Sequence, residues 1–102
     1  MITKESVVNK LKTVIDPELH INIVDLGLIY GVECSVKNDK CLIKVIMTLT
    51  TPGCPLAPVI DKLIRSALSS LGASEIELKL VWEPPWTVKR MSEEGKLKLG
   101  ML

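Results

Sequence analysis

From Cys41 to Trp82 the chain reads as a strand, a helix and another strand, and this run limits the fold more than any other feature. Leu56, Val59, Ile60, Leu63, Ile64, Ala67, Leu68 and Leu71 recur at helical spacing. Pro55 suits the first turn of that helix, and Gly72 suits its stop. Ahead of it, Cys41, Ile43, Val45, Met47 and Leu49 fall on one face of a strand; behind it, Ile76, Leu78, Leu80 and Trp82 alternate with Glu75, Glu77, Lys79 and Val81. Trp82 is thereby expected in the core. Two strands joined by one helix form a parallel pair, and the loops that leave their carboxyl ends meet at one end of the sheet.

The rest of the chain adds to that unit. Thr3 caps a first helix with Val7, Val8, Leu11, Val14 and Ile15 on one face, and Asp16-Pro17 ends it because a residue before proline is pushed out of the helical region. The stretch from Glu18 to Gly27 fits neither period and reads as an ordered loop. Leu28, Tyr30, Val32, Cys34 and Val36 then mark a strand, and Lys37-Asn38-Asp39-Lys40 is a turn that pairs it with the next strand as a hairpin. Cys34 and Cys41 sit on the apolar faces and read as core thiols. After the irregular run from Glu83 to Met91, Ser92 with Glu93 and Glu94 starts a short last helix. The expected fold is α+β: a two-layer sandwich in the order α-β-β-α-β, with a three-stranded mixed sheet and a short C-terminal helix. With 102 residues, a single domain over 1–102 is expected.

Charge and cysteine usage exclude several functions. Thirteen basic and twelve acidic residues are spread along the chain without a basic stripe, which argues against nucleic acid or an anionic membrane as principal partner. The apolar runs are too short to span a bilayer, and Met1-Ile2-Thr3-Lys4 does not open a signal peptide. Three cysteines with no framework spacing and no Cys-x-x-Cys suit a reducing cytoplasm, and they write neither a zinc knuckle nor a redox pair.

Cys54 is the residue with chemistry. In Thr50-Thr51-Pro52-Gly53-Cys54-Pro55 it stands where a strand hands over to a helix, and a helix N-terminus favours thiolate over thiol. The plain alternative is a small cysteine in a tight loop. The strand-end loops would bring Cys54 near Glu83, Trp86 and Arg90. Asp16 and Asp25 either join this site or cap turns through their side chains. His20, the only histidine, reads as a loop residue, so Cys54 has no evident partner base and no enzyme activity is expected. Trp86 either offers a docking surface with Pro84 and Pro85 or covers the sheet end.

Four blocks carry a family resemblance: Asp16-Pro17-Glu18-Leu19, the run from Ile23 to Tyr30, the run from Met47 to Pro55, and the run from Val81 to Trp86. In order and spacing they resemble the PaaD- and SufT-like iron–sulfur assembly proteins. The resemblance implies a cytosolic maturation factor whose functional cysteine falls on Cys54, with Asp16, Glu18, Asp25, Thr51 and Arg90 on the family's polar site positions. His20 and Val88-Lys89 depart from the family pattern, and the cysteine-rich segment of PaaD proper is missing. The leading expectation is a transient iron–sulfur cluster carrier acting through Cys54, the metal ligand, with no tightly bound cofactor. Its partners would be client proteins and assembly machinery, a P-loop carrier ATPase among them. One cysteine cannot ligate a cluster in the four-thiolate way, so a second chain or a small thiol is needed, and a homodimer or a complex is the expected working form. The competing expectation is an adaptor that binds the ATPase or a client and never holds iron.

Overall fold

Thr3 opens the first helix, α1 (Lys4–Leu11), through a reciprocal cap in which its hydroxyl accepts from Ser6 N–H at 3.0 Å and Ser6 Oγ accepts from Thr3 N–H at 2.9 Å. The computed structural model describes residues 2–17, 19–50 and 57–100. α1 stops well before Asp16-Pro17. Thr13 and Val14 N–H groups turn back to Lys10 and Leu11, and Thr13 Oγ1 also donates to Lys10 O at 2.6 Å. The run Thr13-Val14-Ile15 is β-branched, and such side chains favour extended backbone. Val14 is buried all the same, while Ile15 bridges Asn22 in a short antiparallel contact and is 45% exposed.

The segment between α1 and the sheet is the ordered loop that its lack of period suggests. Asp16 N–H bonds to Ile21 O and Ile23 N–H to Val14 O, and Ile21, Ile23, Leu26 and Leu28 are all buried. The loop thus supplies a large part of the core.

β1 (Ile29–Lys37) and β2 (Lys40–Met47) form the expected antiparallel hairpin, with Asn38 and Asp39 both at positive φ in the turn. The pairing shifts between Ile29 and Gly31, which leaves Tyr30 as the extra residue of a bulge. α2 (Ala57–Ser69) then crosses to β3 (Glu75–Leu80), which runs parallel to β2, so the mixed sheet has the order β1-β2-β3. Gly72, at φ +81, follows the helix end as its turn requires; Pro55 and Leu56 lie outside the described residues. A 3-10 turn at Val88–Arg90 precedes α3 (Glu93–Lys98), whose cap Ser92 accepts from Gly95 N–H at 3.0 Å.

Ile43, Val45 and Met47 of β2 meet Ile60, Ile64 and Leu68 of α2 and Val7 and Leu11 of α1 in one core. The opposite sheet face is polar, and Lys44 there pairs with Glu33 and Glu77. The apolar pattern overstates the core at its margins. Val59 and Leu63 of α2 are exposed, and Cys34 and Cys41 are only half-buried. Trp82 is not a core residue: the sheet ends at the bond from Val81 N–H to Met47 O, and Trp82, on the way to Pro84 and Pro85, is 39% exposed. No helix among the described residues is long and apolar enough to cross a membrane.

Candidate functional site

At one end of the sheet the start of β1 meets the ends of β2 and β3. Thr48 N–H bonds to Leu28 O at 2.9 Å and Val81 N–H to Met47 O at 2.8 Å, which fixes the backbone from which the segment holding Cys54 departs. Cys54, Thr51 and Glu18 themselves lie outside the described residues.

A strap of chain from Val81 to Ser92 lies across this end. Tyr30 is placed by the bulge so that its hydroxyl donates to Pro84 O at 2.7 Å, just after a cis Glu83–Pro84 bond. Trp86 is half-buried against the core, and its Nε1–H donates to Leu26 O at 2.7 Å. The Arg90 guanidinium stands 4.5 Å from the centre of the Tyr30 ring, a cation–π contact. Arg90's backbone presses on Gly27, where φ is +78 and a Cβ would run into the Arg90 carbonyl. Pro84 and Pro85 remain exposed, as does Glu83.

Asp25 fastens the far end of the strap. Its Oδ1 accepts from Ser92 Oγ at 2.9 Å and its Oδ2 from Asn22 Nδ2 at 2.6 Å, while its carbonyl accepts from Ser92 N–H at 2.8 Å. Asn22 Oδ1 in turn accepts from Asp25 N–H at 2.8 Å. α3 comes so close here that a Cβ on Gly95 would lie 2.9 Å from Asp25 O. Oδ1 of Asp25 thus ties loop to strap, while Oδ2 braces the loop itself. Asp16 is buried and shapes the preceding turn: its Oδ1 accepts from Leu19 N–H at 2.9 Å and its carbonyl from His20 N–H at 2.8 Å. His20 is exposed and at positive φ. Of the predicted positions, Asp25, Trp86 and Arg90 share one braced assembly, whereas Asp16 serves the turn at the loop's beginning. Tyr30, Asn22 and Ser92 are parts of that assembly not singled out as site residues from the sequence. The one available signal was Tyr30, whose hydroxyl needs a partner on an otherwise apolar strand face.

Replacing Asp25 by alanine leaves the Asn22 amide and the Ser92 hydroxyl without their acceptor. A loss of roughly 2–3 kcal/mol is expected, read as a lower urea midpoint with unchanged slope. A loss below about 0.5 kcal/mol would mean that the clamp contributes little.

Of the two described thiols, Cys34 is held back from reaction. Burial pushes the Cys34 thiol up, Lys4 partly offsets this, and the neighbouring Cys41 adds to the rise. The thiolate fraction of Cys34 therefore grows only above the usual thiol range. In a pH series of limited alkylation read by mass spectrometry, Cys54 is expected to be modified first and Cys34 to show an upward-shifted midpoint. Labelling of Cys34 ahead of Cys54 would overturn that order. Among the described residues no group of three or more His, Cys, Asp or Glu side chains could hold a metal ion.

The profile of a family described as "Iron-sulfur cluster assembly protein" matches residues 4–78. The chain is 42% identical over 99 residues to the Fe-S protein maturation auxiliary factor YitW of Bacillus subtilis (strain 168), covering 96% of this chain and 94% of that one. It is 40% identical over 76 residues to an iron-sulfur cluster carrier protein of Deinococcus radiodurans, covering 74% of this chain and 21% of that longer protein. A crystal structure of a domain of unknown function, DUF59, from Bacillus anthracis superposes with a TM-score of 0.85 at 38% identity, covering 97% of this chain and 92% of that one. The chain belongs to the iron–sulfur cluster assembly protein family.

Proposed function

We propose that the protein is an auxiliary factor of iron–sulfur protein maturation, and that Cys54 is the thiolate through which it holds a cluster in transit. The cluster is cargo, not a resident cofactor. The maturation role draws on the names of the relatives, an Fe-S protein maturation auxiliary factor and an iron-sulfur cluster carrier protein. The observation that carries the finer reading is the braced sheet end. Tyr30, Trp86, Arg90 and Asp25 fix the strap to the start of β1 and the loop before it, and backbone bonds from Thr48 to Leu28 and from Val81 to Met47 hold the end of β2 beside it, which suits a scaffold that presents one reactive group from the following segment.

A single thiolate leaves cluster iron short of ligands, so a second chain of a homodimer, or a small thiol, completes the set. The reading is non-enzymatic and cytoplasmic, with client proteins and an assembly ATPase of the P-loop type as partners. The adaptor alternative has an observation of its own: the carboxylates of Asp16 and Asp25 are occupied by hydrogen bonds within the fold.

Anaerobic reconstitution with iron and sulfide, followed by iron counting, absorbance and light scattering, separates the two. The carrier retains a cluster shared between two chains and loses it when Cys54 is replaced. Failure to retain iron under these conditions, in a protein that still supports client maturation, selects the adaptor.

A further inference from the structure

β3 is an edge strand: β2 covers one side of it, and no other strand among the described residues covers the second. Val81 N–H bonds to Met47 O, so the odd-numbered positions along this segment turn their backbone polar groups toward β2. The even-numbered positions, Ile76, Leu78 and Leu80, turn theirs outward. Arg65 Nη1 confirms the direction by donating to Ile76 O at 2.8 Å from α2. The side chains divide the other way. Ile76, Leu78 and Leu80 lie on the helix side, in register with Ile43, Val45 and Met47. Glu77 lies on the polar face, where it meets Lys44 at 3.7 Å, and Lys79 shares that face.

We propose that this outer edge is a docking surface for a second copy of the chain, paired antiparallel about Leu78 so that Glu77 faces Lys79 of the second copy. Three features favour this occupant. A two-fold axis normal to the sheet at Leu78 sets Glu77 against Lys79 twice, in the non-hydrogen-bonded positions where side chains come closest. Centring the axis on Glu77 sets Glu77 against itself even as it brings Glu75 opposite Lys79, and centring it on Lys79 sets Lys79 against itself, so the Leu78 register is the one free of like-charge pairs. The same register puts Ile76 of one copy beside Leu80 of the other. Leu80 is 44% exposed and borders an apolar cavity of about 300 Å³ lined by Met47, Leu49, Ile60 and Leu78. Ile76 O retains its bond from Arg65, since a carbonyl oxygen has a second lone pair for the incoming N–H. The result joins two three-stranded sheets into one, with both helix layers on the same side.

This inference names the surface for the second chain of the proposed function and rests on that reading, but its test needs no iron. Sedimentation of the apo protein over a concentration series is expected to show a reversible dimer. Lys79→Glu alone and Glu77→Lys alone each bring like charges together twice and should weaken self-association by about tenfold or more. Mixed, the two variants are complementary at both positions and should form a one-to-one heterodimer. Amide exchange at Leu78 and Leu80 should slow on dimerisation, with circular dichroism showing both variants folded. A wild type that stays monomeric, variants that self-associate like the parent, or a mixture that fails to pair would each overturn the assignment. Correct pairing in a protein that retains no cluster would refute the carrier reading and leave the edge intact.

Discussion

Gly27→Ala is expected to be the most damaging small substitution in this fold, lowering stability by roughly 3 kcal/mol or more. Two effects add. At φ +78 the backbone is left-handed, a conformation that costs an alanine roughly 1–2 kcal/mol. The new Cβ would also fall 2.6 Å from Arg90 C and 2.8 Å from Arg90 Cβ, so backbone has to move. For a chain of this size each kcal/mol corresponds to roughly 4–8 °C, and a Tm lower by more than about 12 °C is expected. Gly72 is the internal control. It has nearly the same φ, +81, but nothing lies within 4 Å of its added Cβ. Gly72→Ala should therefore show the backbone cost alone. Equal Tm losses for the two variants would remove the strap's pressure on Gly27 from the account.

Cys54→Ser is expected to abolish client maturation while Tm stays within a few degrees of the parent. Serine conserves the size of the side chain, and its cost should be about 1 kcal/mol or less. A hydroxyl is a far poorer ligand for cluster iron than a thiolate, so delivery fails with the fold intact. Cys34→Ser and Cys41→Ser form the comparison set, because these thiols belong to the sheet and not to the segment after β2. The readout is the iron content and activity of an iron–sulfur client produced with each variant. Full maturation with the serine variant would make Cys54 structural and leave the adaptor.

The sheet was legible in the sequence because its signals are local. Alternation through Ile43, Val45 and Met47, the Asn38-Asp39 turn and the helical repeat from Ile60 to Leu68 each need only a short window, and the element order follows from them. The end of α1 was misread because Val14 and Ile15 continue a helical spacing that the β-branched run then breaks. Trp82 was misread because alternation continues one step past the last sheet bond. The braced end lay beyond local reading. Trp86 finds Leu26 across 60 positions and Ser92 finds Asp25 across 67, and nothing in either window names its partner. The strand-end loops pointed to Arg90 and left Asp25 between site and turn cap, and the family resemblance put both on polar site positions, which locates a residue without saying what it touches.

The strap has a consequence for where such a domain can be divided. The family profile matches as far as Leu78, inside β3, whereas the groups that hold the sheet end in place, Trp86, Arg90, Met91 and Ser92, all follow it. A chain stopped there would uncover Leu26 and Gly27 and strip Asp25 of its hydroxyl partner, so the end of that match is not a boundary of folding. A cut placed after α3 instead would leave the clamp whole.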